Sequence, residues 1–274
     1  MKYIRRITVI LFAAVFAVWL FSAVLAHRTS DDTPPVITSD TEELVLSVRD
    51  GEESLLKGLT ASDDKDGDLT SEILVGEKSN FKEEKGVTEV TYLVFDQANN
   101  VGEYTRKVRY QDYQSPSFTL SSPLIFERNS KVTVLDRLGA TDCLEGDISS
   151  RIRILSGDID NTANGDYTIG VEITNRFGDS VSADLPVHVV DSTKNLPVIT
   201  LTHYLVCMQA GTEFYPEQYL ASVKDSAGNE AGLEYVQISS GVNGAVPGVY
   251  EVLYSMTDGA GKTGETCLTV LVRE

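Results

Sequence analysis

Four aspartates, Asp63, Asp64, Asp66 and Asp68, crowd into one short stretch around Gly67. Ca²⁺ takes about six to eight hard oxygen ligands, and carboxylates at alternating positions with a glycine at a tight bend supply such ligands. Asp96 and Asn99 offer further oxygens later in the same segment, and Asp31 and Asp32 precede it. In a β-sandwich the loop after the second strand and the loop before the last strand lie at one end, so these residues are expected to face each other. A second set, Asp142, Glu145 and Asp147 with Asp112 upstream, repeats the pattern. The competing use is local: Asp side chains cap turns by accepting hydrogen bonds from nearby backbone amides and stay solvated. The full spacing of a helix-loop-helix Ca²⁺ loop, with its terminal Glu, is absent. Both uses stand at this level, with Ca²⁺ as the only cofactor the residues suggest.

Cys143, Cys207 and Cys267 are the three thiols. Cys207 falls in an early strand and Cys267 in the last strand of one segment, positions that neighbour each other in many sandwiches, so a Cys207–Cys267 disulfide is expected in an oxidising location. The alternative is two buried thiols serving as small apolar fillers. Cys143 is left odd, in a loop. The three histidines, His27, His188 and His203, form no Ser/His/Asp or Cys/His set in the sequence, and neither a zinc spacing nor a phosphate-cradling Gly-Lys-Ser/Thr motif is present. No catalytic residue is assigned and no enzyme is predicted. The single Trp, Trp19, lies in the N-terminal apolar run, so a sugar-stacking face would have to use tyrosines such as Tyr204, Tyr215, Tyr219, Tyr235, Tyr250 and Tyr254. Their ordinary use is strand packing.

The elements that carry these residues read as strands. With 42% hydrophobic residues, 21 Gly and abundant Thr, Val, Ser and Asp, the chain favours short strands and turns after its first 26 residues. The formal charge is -18, from 41 acidic against 23 basic residues, and Lys2, Arg5 and Arg6 account for three of the basic ones. Such a surface repels nucleic acid, which is excluded as a partner, and attracts cations. Residues 1–6 form a basic flank and Ile7 to Ala26 an unbroken apolar stretch. At about 1.5 Å per residue this predicts a signal-anchor helix, cytoplasmic on its basic side, giving a single-pass protein of the bacterial cell membrane with exterior C-terminal domains. Val24-Leu25-Ala26 also has the small-x-small form of a signal-peptidase site, so secretion after cleavage at Ala26 is the alternative.

After a linker at 27–33 the sequence repeats. Pro35, Pro116 and Pro197 open similar segments at a constant interval of 81 residues, the size of a small domain. Leu59 to Thr70 aligns with Leu138 to Ser149 and loosely with Leu220 to Asn229; each is followed by a Gly-led alternating strand, from Gly86, Gly165 and Gly248. Apolar residues at Val90, Tyr92 and Val94, or Val252, Tyr254 and Met256, recur with period two, one face inward. The fold class predicted is all-β: three tandem immunoglobulin-like β-sandwiches at 34–112, 113–192 and 193–274. The runs Pro-Pro-Val-Ile-Thr, Thr60 to Thr70 and Val90 to Asn99 resemble the bacterial Ig-like surface domains first defined in an insecticidal crystal protein, in style akin to hyalin-type repeats. That resemblance implies non-catalytic domains strung in arrays on secreted and surface proteins, stiffened at their junctions by Ca²⁺ if the acidic loops bind it. The third segment lacks the Asp-Gly-Asp element. The expected function is a spacer or binding module, of adhesion or scaffold type, with a protein or glycan of the cell envelope as partner; a carbohydrate-binding adhesin and an accessory subunit of an envelope enzyme are the alternatives.

Overall fold

The computed structural model describes residues 2–29 and 31–274, and within the N-terminal helix the side chains of Tyr3 and residues 7–22. That helix, α1, spans Lys2–Thr29. Among the described residues no helix is long and apolar enough to cross a membrane, which overturns the single-pass placement and attachment through residues 7–26. The side chains of Lys2, Arg5, Arg6, His27 and the Val24-Leu25-Ala26 site lie outside the described residues.

The chain beyond the helix is all-β and builds tandem sandwiches. The first uses β1 (Val36–Ser39), β2 (Glu43–Leu46), β3 (Leu59–Asp63), β4 (Gly67–Asp68), β5 (Leu74–Lys78), β6 (Val87–Phe95) and β7 (Val101–Tyr110). They form two sheets, ordered β1-β3-β4 and β2-β7-β6-β5. Alternation in β6 puts Thr88, Val90, Tyr92 and Val94 inside, each at most 1% exposed, opposite Ile37, Leu59 and Ala61 of the other sheet. Burying side chains of this size stabilises by about 1.5–3 kcal/mol each.

The second set is β8 (Ser117–Leu120), β9 (Ile125–Glu127), β10 (Leu138–Asp142), β11 (Gly146–Asp147), β12 (Arg153–Ser156), β13 (Gly165–Thr174) and β14 (Ser180–Val190). Its sheets are β11-β10-β8 and β12-β13-β14-β9, with β9 parallel to β14. The third set is β15 (Val198–Leu201), β16 (Leu205–Gln209), β17 (Leu220–Lys224), β18 (Gln237–Ser240), β19 (Gly248–Thr257) and β20 (Thr263–Arg273). It pairs β15 with β17 and stacks β16-β20-β19-β18, with β16 parallel to β20.

The chain divides into two compact units. One holds the residues through Leu46 with Asp50–Ser79 and Val87–Arg109; the other holds Ser47–Arg49, Asn80–Gly86 and Tyr110–Glu274. Within the second unit the hydrophobic core around Phe118, Leu185 and Val187 continues into Leu205 and Leu271 of the third strand set, so two sandwiches share one apolar cluster. The segment 80–86 belongs to this unit by contact: Phe81 stacks on Phe177 with ring centroids 4.9 Å apart, and its amide donates to the Phe177 carbonyl at 2.9 Å.

The expected Cys207–Cys267 disulfide is absent and all three cysteines are free thiols. Cys207 pairs across the sheet with Leu271, four positions along β20 from Cys267. At about 3.3 Å per residue that separation is near 13 Å, beyond the reach of a disulfide.

One backbone approach recurs. A side chain at Gly102 would collide with the Pro35 carbonyl oxygen, and one at Gly264 with that of Pro197, because the segment entering each sandwich crosses its last strand there. Gly102→Ala and Gly264→Ala are each expected to destabilise by about 1–3 kcal/mol, since the obstacle is backbone and cannot rotate away. Chemical denaturation of each variant against the parent chain checks this.

Candidate cation site

Three segments meet at one end of the first sandwich. The β3–β4 hairpin turns sharply because Gly67 takes φ 77°, a left-handed conformation that costs glycine nothing. Inside that turn Asp63 Oδ1 accepts the amides of Lys65 at 2.9 Å and Asp66 at 3.0 Å. These amides hold the Asp63 carboxyl below the usual carboxylate range. In the β6–β7 turn Asp96 is 6% exposed; its Oδ1 accepts the Asn100 amide and its Oδ2 the Asn100 side-chain Nδ2, both at 2.7 Å. Asp66 Oδ2 accepts the Gln97 amide at 2.8 Å, which ties the hairpin to that turn. Asn100 Nδ2 also donates to the Asp31 carbonyl at 2.9 Å, drawing in the segment ahead of β1.

Asp31, Asp63, Asp66 and Asp96 each bring a carboxylate oxygen within 4.8 Å of the others. Two oxygens on opposite sides of a Ca²⁺ ion, at about 2.4 Å each, lie about 4.8 Å apart, so the spread matches one hard cation. Asp63 Oδ2 is shut off from solvent and has no hydrogen-bond partner among the described residues. A buried anionic oxygen with no donor is costly, and a cation is the chemical species that relieves it. Lys65 Nζ lies 3.2 Å from Asp31 Oδ1 on a side chain 44% exposed.

Of the residues singled out in the sequence, the structure brings Asp63, Asp66 and Asp96 together with Asp31. Asp64 is exposed and outside the group of four. Asp68 caps the next turn, accepting the Thr70 amide at 2.9 Å, and the Thr70 hydroxyl and amide lower its pKa. Asn99 is exposed at φ 65° as a turn former, while its neighbour Asn100 makes the bonds. Asn100 was missed because adjacent asparagines in a turn look alike until register is known.

The second sandwich builds the same turns and fills them differently. Asp142 Oδ1 accepts the amides of Leu144 and Glu145, and its Oδ2 accepts Asn175 Nδ2 at 3.0 Å. Glu145 is bound by both terminal nitrogens of Arg151, at 3.0 and 2.8 Å, and by the Arg176 amide at 2.7 Å. Burial would raise its pKa; these bonds outweigh it and hold the carboxyl low. Asp147 is spent on capping Ser149. At the position equivalent to Asn100, Asp179 pairs with Lys85 Nζ at 2.8 Å. Asp142, Glu145 and Asp147 therefore do not gather as a ligand set. In the third sandwich Asp258 accepts the amides of Ser226 and Lys262, both at 3.0 Å, which with the Ser226 hydroxyl push it down to about 2. There Lys262 stands where Asn100 stands in the first, its Nζ donating to the Asn195 carbonyl at 3.0 Å.

The tyrosines considered for sugar stacking are mostly committed elsewhere. Tyr254 is fully buried with its hydroxyl on the Pro216 carbonyl, and Tyr204, Tyr219 and Tyr250 pack against the third core. Tyr215 and Tyr235 are exposed.

No known family model matches the chain. Over 219 residues, 78% of its length, it is 29% identical to pesticidal crystal protein Cry22Aa of Bacillus thuringiensis, and it spans 29% of that protein's length. Among solved structures it is similar to Drosophila N-cadherin EC1-3, at 12% identity and a TM-score of 0.30, covering 87% of this chain and 99% of that one. It is also similar to a CBM51-2 and INT domain structure of Clostridium perfringens ZmpB, at 18% identity and a TM-score of 0.24, covering 54% and 26%.

Proposed function

We propose that this chain is a non-catalytic binding and scaffold module built of bacterial Ig-like surface domains, and that the first of them is completed by one bound Ca²⁺ ion. The similarity to the crystal protein and the tandem sandwiches support the domain type. One observation carries the cation: in the second turn cluster Arg151 and Lys85 pair with Glu145 and Asp179, whereas the first, with Lys65 paired to Asp31, still gathers four carboxylates around a buried Asp63 oxygen that has no donor among the described residues. Asp31, Asp63, Asp66 and Asp96 would hold the ion, with Lys65 swinging outward. Ca²⁺ there pins the entering segment to the β3–β4 and β6–β7 turns, which fixes the first domain's end for presentation to a partner. A protein partner fits better than a glycan, since most of the candidate stacking tyrosines are packed in the third core.

Calorimetric titration of the chain with Ca²⁺ is expected to give one site per chain. Thermal stability of the first domain should rise by about 2.7 kcal/mol at a free concentration a hundred times Kd, and chelator should remove the gain. Asp63→Asn with Asp66→Asn should abolish both effects, while Asp142→Asn leaves them intact. Silence in the titration by the folded parent chain would sink the cation reading and leave these residues as turn caps.

A further inference from the structure

We propose that His188, Glu251 and Cys267 form a second metal site, of different chemistry, that takes a divalent transition-metal ion of the zinc(II) type where the second and third strand sets pack together. Strand alternation places the three groups. In β14, Val187 and Val189 point into the core, so His188 lies on the outer face of its sheet. In β19 and β20, Val252, Tyr254, Leu268 and Val270 fill the third core, which leaves Glu251 and Cys267 on the other face. Cys267 pairs with Leu253 and Glu251 with Thr269, so Glu251 and Cys267 are diagonal neighbours on that face. The shared apolar cluster through Leu205 and Leu271 holds the two outer faces together.

The resulting set is one imidazole nitrogen, one carboxylate oxygen and one thiol sulfur, all within 4.8 Å of one another. His188 Nε2 lies 2.9 Å from Glu251 Oε1. The other ring nitrogen, Nδ1, is 2.8 Å from Asp166 Oδ1, and Asp166 is His188's direct partner across the β13–β14 ladder. A carboxylate behind a ligating histidine fixes the ring so that the free nitrogen faces the metal. Tetrahedral zinc with bonds of about 2.0–2.3 Å spaces its ligand atoms by about 3.3–3.7 Å, which this cluster reaches with small side-chain adjustments. A thiolate and an imidazole favour zinc-type ions over Ca²⁺ or Mg²⁺, which prefer oxygen. Three protein ligands leave a fourth position for water or a partner's side chain. Access is provided, since Glu251 also lines a cleft of about 710 Å³ with Asp184, Pro186 and Val249.

Cobalt(II) added to the reduced full chain is the test, because a cobalt–thiolate bond gives a near-ultraviolet charge-transfer band that carboxylate sites lack. The expected result is one such band at one equivalent, bleached by zinc(II). Cys267→Ser and His188→Gln should each lose it with the circular dichroism of the fold retained, and Cys143→Ser and Cys207→Ser should keep it. The proposal is overturned if the folded parent chain gives no band, or if the band follows Cys143 or Cys207. Ca²⁺ titration reads none of this, so the two metal sites stand or fall separately.

Discussion

Arg106→Leu is expected to lower the stability of the first domain by about 3 kcal/mol, although it replaces a charged residue by an apolar one in a core. Arg106 is 2% exposed among apolar neighbours. Its Nη1 donates to the Lys57 carbonyl at 2.9 Å and to Ser39 Oγ at 3.1 Å, and its Nη2 to the Leu55 carbonyl at 2.7 Å. The guanidinium carbon lies 5.4 Å from the Tyr92 ring centroid, with the Tyr92 hydroxyl itself bonded to Leu55. Two effects oppose each other in the variant. Removing a buried charge recovers desolvation, most of all at Nε, which has no partner. Against this, the Lys57 carbonyl and Ser39 hydroxyl lose a charged donor, and each bond to a charged group is worth about 1.5–3 kcal/mol. The backbone acceptors cannot move to find substitutes, so the loss dominates. In the other two sandwiches the matching strand positions hold Leu185 and Leu268 facing apolar partners, where leucine has no carbonyls to satisfy. Hydrogen exchange across β6 and β7 is the measurement; unchanged protection in the variant would mean that desolvation relief offsets the lost bonds.

Asp179→Ala should cost the second unit about 2–4 kcal/mol. The Asp179 side chain is 2% exposed, and its oxygens take the Tyr113 hydroxyl and Lys85 Nζ, each at 2.8 Å. Lys85 is 62% exposed and returns to water at little cost, so the penalty comes from the buried side. Asn175 Nδ2 donates to the Tyr113 hydroxyl at 2.8 Å and to Asp142 at 3.0 Å, so losing Asp179 leaves a chain of polar groups short of its final acceptor. Burial and the Asp179 charge push the Tyr113 hydroxyl well above its ordinary pKa, which keeps it a donor. For Asp179 itself burial raises the pKa, but the bonds from Lys85, Ser115 and Tyr113 outweigh it and the carboxyl titrates below the ordinary value of 3.8. A depressed folded-state pKa means its contribution is fully present above the unfolded-state value and is lost as pH falls through the folded one. Stability of the parent chain should therefore fall more steeply below about pH 4 than that of Asp179→Asn, compared by thermal melts of the two proteins across that range. Parallel pH profiles would remove Asp179 from the acid-sensitive set.

Local signals in the sequence determined much of this protein. Period-two alternation marks β6, β13 and β19 as half-buried strands whichever partners they meet, because successive side chains leave a strand on opposite sides. Gly67 and Gly146 mark hairpins because the turn needs a positive φ, here 77° and 76°. The acidic cluster at 63–68 was readable for the same reason. Only the tertiary structure decided which members meet: Asp31 and Asp96 join Asp63 and Asp66, while Asp64 and Asp68, close in sequence, face elsewhere. Strand register, a non-local quantity, separated Cys207 from Cys267 along paired strands that suggested a bridge. Packing of one sandwich on the next brought His188 from β14 to Glu251 and Cys267 of β19 and β20, a set with no sequence spacing to announce it. Turn chemistry is encoded within a few residues; convergence of side chains depends on how sheets pair and pack, and that is settled by the buried apolar surface of the whole unit.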